Sequence, residues 1–181
     1  MTPMRNKGMS QRRFLSLLIL LGICHGSYAL PEDNQQEIRI ASDSAFLDKP
    51  QGQLIYSGHV EMTQGTLNIR ADRITLIRNE QGLQKVIAEG KPARYEQVIT
   101  ADEGKTQAYG ETIIFHTGKE QLTLLKNAGL EKQGNLFAGE KIVYLMQEQR
   151  IKADSQTSDS RIHMVIQPQQ EAAPAAQETQ Q

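Results

Sequence analysis

The stretch Gly58–Leu76, GHVEMTQGTLNIRADRITL, decides how this chain folds. It holds three short alternating runs: Val60 and Met62, Leu67 and Ile69, then Ile74 and Leu76. Apolar residues two apart are the mark of a half-buried β-strand. The alternation slips twice, at Gln64-Gly65 and at Ala71-Asp72. A one-residue slip turns the apolar face outward unless the chain turns or bulges there. The stretch therefore predicts a turn and then a bulge or corner.

The corner recurs outward from this stretch. Ala71-Asp72-Arg73-Ile74-Thr75-Leu76 is echoed by Gly110-Glu111-Thr112-Ile113-Ile114-Phe115 and by Gly139-Glu140-Lys141-Ile142-Val143-Tyr144, with a fainter copy at Ser42–Leu47. The shared order is small residue, acid, any residue, apolar, any residue, apolar. Its spacing, roughly 30 to 40 residues, is that of stacked supersecondary units that cannot bury their own faces alone. The spacing is loose, so a repetitive roll is expected rather than a strict solenoid.

The same alternation continues on both sides. Short strands are expected at 37–40, 53–57, 83–88, 93–100, 106–109, 112–117, 121–126, 128–133, 135–138, 141–146, 150–154 and 161–166. Counted with the quoted stretch, this gives about fifteen short strands and no convincing helix. Pro92 cannot donate to a ladder, so it should start a strand or lie on an edge. The chain has no Trp, four Phe and five Tyr. A thin sandwich or rolled sheet lined with Ile, Leu and Val suits that composition.

Residues 1–29 have the layout of a cleavable export leader. Arg5, Lys7, Arg12 and Arg13 precede the apolar run Phe14–Cys24, and Ser27-Tyr28-Ala29 satisfies the small-x-small cleavage rule. That run is about half the length of a membrane span. The domain then covers 30–166, and the Gln/Ala/Pro-rich segment 167–181 is expected to be disordered.

Cleavage would remove the single cysteine, Cys24, and with it any disulfide, thiol chemistry or cysteine–metal site. The leader carries four of the 20 basic residues and none of the 21 acids, so the processed chain has a net charge near −5. That balance argues against a phosphate-binding surface for nucleic acid.

Catalytic signals are missing. His59, His116 and His163 are far apart with no ligand-like spacing, and there is no nucleophile elbow, P-loop or dinucleotide fingerprint. The carboxylates at 43, 72, 111 and 140 recur at matching places, which fits corner residues better than a general acid/base pair. No catalytic residue, metal site or cofactor is expected. Three stretches are apolar at adjacent positions: Ile113-Ile114-Phe115, Leu122 with Leu124-Leu125, and Ile142–Met146. Their second face is either packed locally or covered by an apolar ligand or partner.

Taken in order, Ile38–Asp43 with Leu47-Asp48, Gly58-His59-Val60, Gln64-Gly65-Thr66, Ile69–Asp72, Gly90–Ala93, Gly139–Ile142 and Tyr144-Leu145 resemble the OstA-like superfamily of periplasmic lipopolysaccharide-transport proteins. The resemblance spans nearly all of 37–154. It departs in the acidic tail, so no role is carried over to 167–181.

The resemblance implies an all-β fold: a twisted, half-open antiparallel β-jelly roll of about sixteen strands, with lipid A acyl chains in an apolar groove. It implies a head-to-tail self-oligomer formed by strand edges, with LptC at the inner membrane and LptD–LptE at the outer membrane as partners. Carried over, Ile38, Ile40 and Leu47 fall in the N-terminal trough, and Tyr95 and Phe115 match acyl-facing aromatics. Ile38, Ile40, Ile162 and Val165 fall at the partner junctions. Alternation adds Val60, Met62, Leu67, Ile69, Ile74, Ile142 and Tyr144 to the lining. Each also reads as plain core. Arg78 falls at the groove mouth, where it meets a lipid phosphate or is a solvated turn arginine. The other readings are a structural adaptor of the same superfamily that assembles through strand edges without lipid, and a membrane-anchored relative with an uncleaved leader.

Overall fold

The alternating runs become one antiparallel sheet of ten strands. The structure is a computed structural model and describes residues 33–99, 104–155 and 160–168. The leader, most of the tail and the loop residues 100–103 and 156–159 lie outside the described residues. The strands are β1 (Arg39–Ala41), β2 (Ser44–Asp48), β3 (Gln53–Gln64), β4 (Leu67–Asn79), β5 (Gly82–Val98), β6 (Lys105–His116), β7 (Gln121–Lys132), β8 (Asn135–Leu145), β9 (Arg150–Asp154) and β10 (His163–Val165). Strands β3 to β8 form a meander of successive antiparallel neighbours. Each outer edge is a broken strand: β1 and β2 both pair with β3, and β9 and β10 both pair with β8.

Ten strands replace the fifteen or so segments counted in the sequence because many of those segments are halves of one long strand. Pairing shifts register between Ser57 and Val60 on β3, Arg70 and Arg73 on β4, Glu89 and Ala93 on β5, Tyr109 and Thr112 on β6, and Leu125 and Ala128 on β7. These shifts lie side by side and form a crease across the sheet. The repeated small–acid pattern marks that crease: Asp43, Asp72, Glu111 and Glu140 fall on it. Pro92 lies here, inside β5 rather than at a strand start or an edge. Its missing N–H costs nothing because residues 90–92 are unpaired in the bulge.

The sheet folds over along the crease. Phe115 lies seven positions beyond Ala108 on β6, about 23 Å along an extended strand. Yet its ring centroid is 6.0 Å from that of Tyr95, the residue paired with Ala108. Lys132 and Tyr144, on opposite sides of the crease, likewise meet at 2.9 Å between Nζ and Oη.

The apolar residues of both halves face each other and make one core that includes Met62, Ile69, Ile74, Leu130 and Ile142. The apolar second face of the central strands is a cross-strand row on the outside, Ile87, Ile114, Thr123 and Val143. Thr123 is buried and the other three are half-buried. Among the described residues no helix is long and apolar enough to cross a membrane.

Candidate functional site

Opposite the crease, residues near the hairpin tips of both halves line two adjoining cavities. The larger, about 690 Å³, is walled by Ile38, Ile40, Leu54, Tyr56, Leu76 and Leu83, with Arg78 at its rim. That volume is within the usual range for small-molecule sites. Ile38 and Ile40 reach it because β1 crosses the end of β3, with Ile40 opposite Met62. The smaller, about 270 Å³, has an apolar floor that includes Leu67, Phe115 and Met146, below a polar rim of Asp33, Thr66, Gln97 and Glu120.

The structure thus brings Ile38, Ile40 and Arg78 together in one cavity and places Leu67 and Phe115 in its neighbour. Met62, Ile69, Ile74, Tyr95, Ile142 and Tyr144 are sealed between the halves, each at 0% exposure. Val60 is buried where the crease begins. Leu47, with Phe46, is exposed on edge strand β2, away from either cavity. Ile162 and Val165 are exposed at the opposite edge, with Met164 and Ile166.

The sequence reading missed Leu54, Tyr56, Leu76 and Leu83 as cavity walls. Leu54, Tyr56 and Leu76 continue the alternation that flagged Val60 and Ile74, so the signal was present in the strand pattern.

Charges in the site are few. The Tyr95 hydroxyl donates to Gln97 Oε1, and burial pushes the phenol well above its ordinary range. The Lys132 ammonium donates to the Tyr144 hydroxyl. At the crease, the His59 ring lies 2.9 Å from Asp43 Oδ2, and Asn127 donates to Glu111. Two of the four recurring acids, Asp43 and Glu111, thus hold corners. Among the described residues no group of three His, Cys, Asp or Glu side chains is arranged to hold a metal ion.

A folded-over sheet with an open mouth and, among the described residues, no further strand on either edge defines an open antiparallel β-roll. The chain belongs to the family described as the LptA/(LptD N-terminal domain) LPS transport protein family, whose model matches residues 39–150. It is 40% identical to the lipopolysaccharide export system protein LptH of Pseudomonas aeruginosa over 80% of this chain and 86% of that protein. It is 32% identical to LptA of Escherichia coli K12, over 83% of this chain and 82% of that protein. The crystal structure of P. aeruginosa LptH, described as the LptA-homologous periplasmic component of the lipopolysaccharide transport device, superposes with a TM-score of 0.70. That match covers 76% of this chain and 100% of the LptH chain, at 40% identity.

Proposed function

We propose that this protein carries lipopolysaccharide across the periplasm, holding the acyl chains in the trough between the two halves of its sheet. The observation that carries this reading is the open cavity at the N-terminal edge, where Ile38, Ile40, Leu54, Tyr56 and Leu76 form an apolar wall beside the core, facing polar side chains that include Gln36, Gln64 and Gln81. An acyl chain in water exposes apolar surface at about 0.8 kcal/mol per CH₂. Continuous apolar walls remove that cost without a tight contact at any one point. Arg78, exposed at the rim, supports this reading by offering a guanidinium to a lipid phosphate. The relatives' names as export proteins support the same reading and give no reason to expect catalysis.

Export through the leader 1–29 delivers the chain to the periplasm. The two sheet edges, at Ile38 and Ile40 before and in β1 and at Ile162 and Val165 before and in β10, add strands from further copies head to tail. LptC and LptD–LptE occupy the two ends of that assembly.

The test is a pair of substitutions, Ile38→Asp and Ile40→Asp. Both side chains are only partly buried, so the fold is retained while the cavity wall acquires a charge. Crosslinking of each variant to lipopolysaccharide and to the upstream partner is expected to fall. Wild-type crosslinking in both variants, with the fold intact, contradicts the assignment.

A further inference from the structure

The segment just before β1 is fastened across the mouth of the trough. The Asp33 carboxylate accepts three hydrogen bonds: from Thr66 N at 2.7 Å, from Thr66 Oγ1 at 2.6 Å and from Gln97 Nε2 at 2.6 Å. Gln97 in turn accepts from the Tyr95 hydroxyl, so the network runs from the N-terminal segment into the sealed core. Gln64 Nε2 donates to the Gln36 carbonyl at 3.1 Å. Gly65 makes room for the fastening, because a Cβ there would lie 2.1 Å from Asp33 Oδ1.

Two further facts give this tie a function. Asn34, Gln64 and Thr117 border both cavities, so the segment stands where the two spaces would otherwise join. Asn34, Gln35 and Gln36 are exposed and bury no apolar side chain. A segment held by polar bonds alone, with no apolar burial, belongs to the easily opened part of a fold.

We propose that residues 33–36 are a strap that divides the trough and is displaced when an acyl chain enters, joining the two cavities. This rests on the lipid-carrier reading above. The strap sets the rate of loading, and Asp33 is its latch.

The test uses Asn34→Cys with Thr117→Cys in a Cys24→Ser chain, which then holds no other cysteine. A short bis-maleimide fixes the strap to the opposite rim, and uptake of fluorescently labelled lipopolysaccharide is followed before and after crosslinking. Uptake is expected to slow by on the order of tenfold or more on crosslinking, and Asp33→Ala is expected to speed it by on the order of tenfold through loss of charge-assisted hydrogen bonds. Hydrogen exchange at the Thr66 amide reads the latch without any variant, and its protection is expected to drop in the loaded protein. If wild-type protein loads while the crosslinked form loads at the same rate, or if the loaded protein keeps Thr66 protected, the strap is overturned and the carrier reading survives. If wild-type protein takes up no lipopolysaccharide, the carrier reading falls and takes the strap with it.

Discussion

His59 sits in a left-handed backbone conformation, with φ of 45°, in the crease bulge beside Gly58. Its ring bonds Asp43, and that hydrogen bond, then the carboxylate charge, raises its pKa above the ordinary value of 6.5. A folded-state pKa raised in this way contributes stability that is fully present below about pH 6.5 and is lost as pH rises through the folded value. NMR titration should find His59 above 6.5 in the native protein and back near its ordinary value in Asp43→Asn; equal values in the two proteins would contradict the pairing. Tyr144 makes the opposite kind of contribution, through bulk. It is fully buried between the halves, so Tyr144→Ala should cost about 3–5 kcal/mol by urea unfolding, as large aromatic truncations do. A loss under 1 kcal/mol would mean that the halves are not packed as described. Tyr144 was legible as an inward residue from its spacing with Ile142. Asp33 was not: in sequence it is one acid in a polar lead-in, and its partners Thr66 and Gln97 are 33 and 64 positions away.

Among the elements, the crease and the edges carry the argument. Gly58 has φ of 81°, and a Cβ there would meet Asp43 Oδ2 at 2.2 Å. Gly58→Val should therefore strain the backbone and dislodge Asp43 at about 1–3 kcal/mol, measured as a fall in the urea midpoint. An unchanged midpoint would show that the bulge tolerates a side chain. The crease was visible in the sequence as a repeated small–acid pattern and a slip in alternation. Its meaning was not, because local alternation does not distinguish a bulge inside a long strand from a turn between two short ones. That is why ten long strands read as about fifteen. The closing strand was legible as the run 161–166, which carries Ile162, Met164, Val165 and Ile166. All four are exposed on or beside β10. Edge lysines block strand addition, so, on the proposed head-to-tail assembly, Val165→Lys should weaken self-association by at least severalfold in sedimentation velocity. Association at wild-type strength would place the junction elsewhere.

At the scale of the molecule, one sheet folded along its crease creates a core, a mouth and two free edges together. The core and the proposed lipid surface are continuous, which explains why alternation marked both with the same residues and could not separate them. The division came only from the folded chain: Ile38, Ile40 and Arg78 border open space, while Met62, Ile69 and Tyr95 are sealed. Loading at the open end is therefore expected to depend on acyl chains, because Ile38, Ile40, Leu54, Leu76 and Leu83 offer them apolar contacts there and Arg78 is, among the described residues, the one cation in the cavity lining. The measurement that tests this most directly is comigration of the processed protein with intact lipopolysaccharide and with its de-acylated form. The account predicts binding to the intact form and none to the de-acylated form. Equal binding to both would mean recognition through the sugar and phosphate headgroup and would contradict an acyl-holding trough.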